Sequence, residues 1–361
     1  MEYTLYDELY STNISELDLS KRNLTYIDSN IKYFINLQIL DLSDNEIKEI
    51  PKEIQYLTQL YRLYLSNNKI QEIPKEIQYL TQLQRLFISR NQIKEIPKEI
   101  QYLTQLQELY LSHNQIKEIP KEIEYLIQLH TLSLHGNQIK EIPKAWLSPA
   151  HIAPQCMEIQ YLTQLQTLFF ASNYIKKIPT EIKYLTQLCC LDLCNNKITE
   201  IPTEIQYLTH LQRLYLSYNQ IKEIPKEIQY LTQLKTLYFT SNYIKEIPKE
   251  IQYLTQLKTL YFTSNYIKEI PKEIQYLTQL QELNLPNNQI EEIPLEIINL
   301  RNLTIFQYTN NPIENLLNPI INRFIQRIEN QGGNIHIFIR IPKMYIHHLF
   351  NNQLKTVYII Y

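Results

Sequence analysis

The chain has 361 residues with 35 Lys and Arg against 37 Asp and Glu, which gives a net charge of −2 at pH 7. Lys and Glu alternate along much of the sequence, so its long-range field should be weak, and neither nucleic acid nor a membrane is an expected partner. Its three glycines could hardly build a glycine-rich phosphate loop.

Residues 1–13 form an N-terminal edge segment ahead of the first repeat. The opening stretch MEYTLYDELYSTNIS has acidic residues and no apolar run, so it predicts neither a signal peptide nor a membrane anchor.

A 23-residue repeat occupies residues 14–311. The stretch YLTQLKTLYFTSNYIKEIPKEIQ at 230–252 recurs letter for letter at 253–275. Self-similarity at this period predicts a solenoid, in which each turn buries its apolar face against its neighbours. Alignment gives thirteen turns with Leu or Phe at one phase, from Leu17 to Phe306.

Each turn is expected to contain one short strand and one short helix or 3-10 turn. In the third turn, Leu60, Leu63 and Leu65 face one way while Arg62 and Tyr64 face the other, the alternation of a half-buried strand. Equivalent strands of neighbouring turns can pair in parallel. The following IPKEI segment has a proline and an acid near its start, which favours a helical turn.

One asparagine recurs at the bend after each strand. A buried amide must satisfy its donors and its acceptor, so we expect each to bond to the bend backbone of its own turn and the next. The first turn instead has Arg22 at this position and Asp28 where the others have proline, which suits an edge turn facing solvent. The asparagines are Asn45, Asn68, Asn91, Asn114, Asn137, Asn173, Asn196, Asn219, Asn242, Asn265, Asn288 and Asn311.

The patterns LxxLxLxxN and IxxIPxEIxxL resemble the leucine-rich repeat family, in its intracellular 23-residue type. The resemblance implies an α/β solenoid: a horseshoe with a parallel sheet on its concave face, short helices or 3-10 turns on its convex face, and a protein-binding role. The abundance of Ile, Asn, Lys and Tyr also resembles leucine-rich repeat proteins of mimivirus-like giant DNA viruses.

The four cysteines, Cys156, Cys189, Cys190 and Cys194, are internal, whereas secreted members of this family usually carry paired cysteines at their ends. A reduced compartment is therefore expected, which means the cytoplasm, or the host cytoplasm if the protein is viral. The stretch CCLDLC could suggest a metal, but ligands two apart on a strand are roughly 6–7 Å apart, too far to share one zinc ion. We expect no metal, no cofactor and no catalytic residues.

One turn is interrupted by the insertion AWLSPAHIAPQCM at 145–157, between Leu132 and Leu168. The inserted residues lengthen a surface loop, which costs little entropy. Trp146, the only tryptophan, could anchor a partner. Neutral insertion of foreign sequence is the alternative.

Outward strand positions form the candidate partner-binding site. Aromatic and arginine side chains dominate binding hot spots, so they favour an acidic peptide or protein loop as partner. The alternative is that aromatic residues pair well across strands and were copied with the repeat. The candidates are Arg62, Tyr64, Arg85, Phe87, Arg90, Tyr110 and His113 in a first block, with Arg213, Tyr215 and Tyr218 in a second.

Residues 312–361 are expected to form a helical cap and a small appendage. Asn318 and Pro319 supply an N-cap and the first helical position. The sequence thus predicts a monomeric, non-enzymatic interaction scaffold. The alternative is an adaptor that delivers bound proteins to a modifying machinery, such as a ubiquitin ligase, through this segment. The predicted apolar stripe of the cap is Ile313, Leu316, Leu317, Ile320, Ile321, Phe324, Ile325 and Ile328.

Overall fold

The computed structural model describes residues 2–144 and 162–330. The chain forms two compact units, Met1–Ile198 and Thr199–Tyr361. The insertion at 145–157 and the predicted appendage lie outside the described residues. Within the described residues, no helix has the length and apolarity that crossing a membrane requires.

Short parallel strands run through the repeats of each unit, in register and one per turn. Leu63 pairs with Leu86 in the next turn, and Leu237 pairs with Leu260. The first unit contains β3 (Glu16–Asp18), β4 (Ile39–Asp41), β5 (Arg62–Tyr64), β6 (Arg85–Phe87), β7 (Glu108–Tyr110), β8 (Thr131–Ser133), β9 (Thr167–Phe169) and β10 (Cys190–Asp192), after an N-terminal hairpin of β1 (Glu2–Leu5) and β2 (Glu8–Ser11). The second contains β11 (Arg213–Tyr215), β12 (Thr236–Tyr238), β13 (Thr259–Tyr261), β14 (Glu282–Asn284) and β15 (Ile305–Gln307).

The helical half of each described turn is a 3-10 segment. In the third turn the N–H of Ile77 donates to the carbonyl of Pro74, and that of Leu80 donates to Ile77, both at 3.0 Å. The proline precedes the segment with an extended backbone instead of standing inside it. The segments are Ser29–Tyr33, Lys52–Tyr56, Lys75–Tyr79, Lys98–Tyr102, Lys121–Tyr125, Thr180–Tyr184, Thr203–Tyr207, Lys226–Tyr230, Lys249–Tyr253, Lys272–Tyr276, Leu295–Asn299 and Asn315–Leu317.

Columns of leucine and isoleucine fill the interior of each unit. In the third turn Leu60, Leu63, Leu65, Ile77 and Leu80 are all 0% exposed, as their spacing predicts. Burying one such side chain contributes about 1.5–3 kcal/mol. Since every turn repeats these positions, the stack is held mainly by contacts between neighbouring turns.

The column of bend asparagines, which we call the asparagine ladder, bonds each turn to the turn before it. Asn68 donates to the carbonyls of Leu65 in its own turn and Leu42 in the preceding one, at 3.1 and 2.9 Å, and its Oδ1 accepts the N–H of Ile47. The buried amide is therefore satisfied, as predicted, but its partner turn is the preceding one and not the next.

The hairpin β1–β2 covers the first turn, which corrects the expectation that this turn faces solvent. Leu5 is fully buried. The hydroxyl of Tyr6 donates to the carbonyl of Tyr26 at 2.8 Å and accepts the N–H of Asp28 at 3.0 Å. Burial raises the pKa of Tyr6 to about 12. Asp28 caps the first 3-10 segment through the N–H of Asn30, which explains its replacement of proline.

Helix α1 (Pro319–Asn330) follows the last repeat of the second unit. Asn318 caps it by accepting the N–H of Ile320 at 2.9 Å, as predicted. The predicted stripe is only partly correct, because Leu317 and Ile320 are 83% and 47% exposed. Both precede or begin the helix, so they do not share the face it buries. The buried members of the stripe are Ile321, Phe324, Ile325 and Ile328.

Candidate functional site: the open face of the sheet

The open face is formed by the first and third residues of each strand, because the middle residue points into the core. In β5, Leu63 is fully buried whereas Arg62 and Tyr64 are partly exposed. These outward positions form two columns along the strands of each unit. Most of these residues are at least partly exposed, so their side chains are available for contacts with other molecules; Ser133, Cys190 and Asn284 are buried.

Three aromatic rings form a continuous stack on the open face of the first unit. The ring centroids of Tyr64 and Phe87 lie 4.7 Å apart with planes 11° from parallel, and those of Phe87 and Tyr110 lie 4.7 Å apart at 8°. Parallel pairing of β5, β6 and β7 sets this spacing. The sequence-predicted first aromatic block is therefore assembled into one surface, which we call the aromatic stack.

The cations beside the aromatic stack differ in their partners. Nε of Arg85 lies 2.9 Å from Oε1 of Glu108, which occupies the equivalent position in the next strand. The guanidinium of Arg62 lies 5.1 Å from the ring centroid of Tyr61. Arg90 forms no ion pair with any residue that the structure describes. The predicted cationic patch is thus partly neutralised.

Sequence reasoning missed Glu108 because it considered only arginines and aromatic residues. It did not consider which residue occupies the position of Arg85 in the next repeat. The signal was present, since Glu108 follows Arg85 by one period of 23 residues. The pKa of the Tyr110 hydroxyl is raised above its usual value, first by burial and then by the nearby carboxylate of Glu108. Glu108 therefore acts on both the arginine and the aromatic column.

His113 ends the first block and has a specific packing partner. Its ring lies 4.8 Å from that of His135 in an edge-on arrangement. A Cβ added to Gly136 would lie 2.7 Å from Nδ1 of His113, and the φ of Gly136 is +67°. Burial, then the nearby His135 and Arg90, lower the pKa of His113. Both Arg90 and His113 have φ of 55°, so the bend fixes them in a left-handed conformation.

The second block lies in the second unit. The rings of Tyr215 and Tyr238 meet edge-on at 5.1 Å, and Tyr238 stacks on Tyr261 at 4.3 Å. The hydroxyl of Tyr261 donates to Glu282. Tyr218 is 58% exposed at the bend after β11. The two predicted cationic and aromatic blocks are therefore unlike, because the rings of Tyr215 and Tyr238 meet edge-on whereas the first block is stacked throughout. Arg213, the remaining predicted residue, is exposed at the start of β11.

The remaining predicted features do not add chemistry to the face. Oδ1 of Asp192 accepts the N–H of Cys194 at 3.0 Å, which gives the acid of the CCLDLC stretch a structural role. Among the described residues, no group of three or more His, Cys, Asp or Glu side chains could hold a metal ion. Trp146 lies outside the described residues.

Known repeat families match most of the repeated region. No curated protein sequence matches the chain. The family described as "Leucine rich repeat" matches 58–116, "Leucine-rich repeat region" matches 191–265, and "Leucine Rich repeats (2 copies)" matches 35–79, 104–147 and 255–297.

Solved structures agree with these matches. A leucine-rich repeat protein of Leptospira interrogans is 31% identical, with a TM-score of 0.61, over 90% of this chain and 96% of that protein. The chain belongs to the leucine-rich repeat family. The predicted fold class, an α/β solenoid with parallel strands and short 3-10 segments, is confirmed.

Other similar structures include a plant receptor and a bacterial internalin. The plant peptide hormone receptor RGFR1, solved in complex with RGF2, is 34% identical with a TM-score of 0.73 over 83% of this chain. The match covers 48% of the receptor, so this leucine-rich repeat chain spans about half its length. An internalin of Listeria monocytogenes is 26% identical with a TM-score of 0.74, over 85% of both chains.

Proposed function

We propose that this leucine-rich repeat protein is a non-enzymatic scaffold that holds a protein or peptide partner on the open face of its first unit. The observation that supports this function most directly is the aromatic stack of Tyr64, Phe87 and Tyr110. These rings are only half-buried, and the leucine core beneath them is complete without them. Large aromatic side chains on an accessible face are typical anchors of protein interfaces.

The comparisons support the same class of partner. The receptor RGFR1 was solved with the ligand RGF2, so a leucine-rich repeat structure of related sequence binds a peptide hormone. The three matching family descriptions concern repeats and not a catalytic domain. A cytoplasmic location and the giant-virus resemblance stay predictions from the sequence. The adaptor alternative depends on the C-terminal segment 312–361, of which 331–361 lie outside the described part of the chain.

The test is selection of a phage-displayed library of random peptides on the full chain. A variant with Tyr64→Ala, Phe87→Ala and Tyr110→Ala should lose the selected peptides, since removal of one hot-spot side chain alone costs about 2 kcal/mol or more of binding free energy. Its circular dichroism spectrum should be nearly unchanged, because the core leucines remain.

The second unit supplies the matched control. A variant with Tyr215→Ala, Tyr238→Ala and Tyr261→Ala also removes three aromatic rings from an open face, but from the other block. It should retain the selected peptides. Selected peptides that bind the first triple variant as tightly as the unmodified chain would place the interface elsewhere and refute the proposal.

A further inference from the structure

Two arginines stand side by side beside the aromatic stack, but among the described residues only one has a carboxylate partner. Arg62 and Arg85 are register partners in β5 and β6. Nε of Arg85 is 2.9 Å from Oε1 of Glu108, the equivalent residue of β7. Each arginine can therefore reach the residue one strand further on. For Arg85 that residue is a carboxylate, whereas for Arg62 it is another arginine.

Arg62 is partly exposed, and the protein leaves part of its guanidinium without a hydrogen-bond partner. Its Nε is buried and has no hydrogen-bond partner among the described residues. The ring of Tyr61 lies 5.1 Å from the guanidinium carbon and helps to fix it by a cation–π contact. On the preceding strand, β4, the register partner of Arg62 is Ile39, whose side chain offers no acceptor.

The nearest acid on that strand is already engaged. Oδ1 of Asp41 accepts the backbone N–H of Ser43 at 2.8 Å, and Asp41 forms no ion pair with Arg62 among the described residues. Arg90, at the bend after β6, also lacks an ion pair within the described part of the chain. Arg62 therefore carries a positive charge that no ion pair with a described residue neutralises.

A cation without an ion-pair partner favours an anionic ligand, and a planar guanidinium matches the two oxygens of a carboxylate. We propose that the bound partner supplies the missing group: an aspartate or glutamate side chain that pairs with Arg62, next to an apolar side chain that packs on Tyr64 and Phe87. The Arg85–Glu108 pair shows the same contact made within the protein. This inference rests on the proposed function and adds the chemistry of the ligand.

The test uses the peptides selected on the full chain that also require the aromatic stack. These peptides should be enriched in Asp or Glu beside an apolar residue. Arg62→Met should weaken their binding about tenfold or more, because a hydrogen bond to a charged group is lost. Peptides whose acid is replaced by alanine should bind the unmodified chain and Arg62→Met equally.

Three further variants separate the specific contact from general charge. Arg62→Lys keeps the charge but loses the planar pair of donors, so it should restore only part of the affinity. Glu108→Gln releases Arg85 and should leave acidic peptides bound at least as tightly. Arg213→Met removes a cation from the second unit and should have no effect.

The outcomes distinguish the two proposals. If selected peptides need the aromatic stack but show no enrichment in acids, or bind Arg62→Met as tightly as the unmodified chain, this inference is overturned and the proposed function stands. If no selected peptide needs the aromatic stack, the proposed function fails as well. Because the peptide-side replacement is measured on the unmodified chain, the test does not depend on folding of Arg62→Met.

Discussion

Replacing Asn114 by alanine removes a buried amide that joins two consecutive turns of the first unit. Its Oδ1 accepts the N–H of Ile93 at 3.0 Å, while Nδ2 donates to the carbonyls of Ile88 and Leu111 at 3.1 and 3.0 Å. Asn114 is only 7% exposed, so bulk water does not readily replace these bonds. The variant should therefore lower the free energy of unfolding.

The size of this loss follows from which groups keep a partner. The carbonyl of Ile88 also accepts from Asn91 at 3.2 Å, and that of Leu111 also accepts from Asn137 at 3.0 Å. Both stay bonded after the substitution. The N–H of Ile93 is left without a partner, and an unsatisfied buried donor costs about 1–3 kcal/mol. We expect a loss in that range.

Urea unfolding followed by circular dichroism measures this loss through the shift of the midpoint at constant slope. Arg22→Ala is the matched control, because Arg22 occupies the same phase of the first turn. Its backbone N–H, which donates to Asn45 at 3.0 Å, is kept by alanine. Its side chain makes an exposed ion pair with Glu8, whose loss should matter little. Equal losses for the two variants would refute the ladder argument.

Three further changes test other features of the fold by the same unfolding assay. Gly136→Ala should destabilise the first unit by about 1 kcal/mol or more, because a left-handed backbone and the ring of His113 both oppose a Cβ; unchanged stability would contradict that packing. Tyr6→Phe should lower the free energy of unfolding by about 1 kcal/mol, because the first turn loses the hydroxyl group that bonds to it. No loss would show that this bond between the hairpin and the first turn does not contribute to stability. Deleting 145–157 should leave stability unchanged or slightly higher, whereas a marked drop would show that the insertion packs on the repeats.

Register across the insertion explains why its removal should be tolerated. β8 and β9 pair with Leu132 opposite Leu168, as other neighbouring strands of the unit do. Asn173 donates to the carbonyl of Leu134 at 2.9 Å and accepts the N–H of Ile139 at 2.9 Å, so the ladder continues past the inserted residues. The contacts that define a repeat are therefore already complete on both sides of the insertion.

The structure of the repeats was predictable because each strand residue lies beside the equivalent residue of the next repeat, one strand away. A leucine that recurs every 23 residues, such as Leu63 and Leu86, must lie in one column if the chain forms a solenoid. The same reasoning placed Tyr64 beside Phe87, and the stack confirms that contact. The period does not show whether a side chain bonds to the preceding turn or to the following one. That is why the ladder was predicted to bond to the wrong neighbouring turn.

Two further features that sequence reasoning missed occur where the repeat stops. The turn of the hairpin β1–β2 is made by Tyr6 and Asp7, both with positive φ, and only Asp is a common residue in that conformation. Leu317 fits a helical spacing but precedes α1, so it does not share the helix face that packs on the last repeat. In both places the answer depends on contacts with a terminal turn that has no second copy to compare.

Differences between copies also indicate which surface carries recognition. The segments Lys52–Tyr56, Lys75–Tyr79 and Lys98–Tyr102 are all KEIQY, so three successive turns present the same 3-10 face. The strands that follow these three segments in the chain read RLY, RLF and ELY, and they differ only at their outward positions. If the repeats had only been duplicated, the 3-10 face and the open strand face would be equally similar from turn to turn. Because the strands vary at outward positions while the 3-10 segments stay identical, and because this variation separates Arg62, which has no ion pair among the described residues, from the paired Arg85, we expect a partner to bind the first unit.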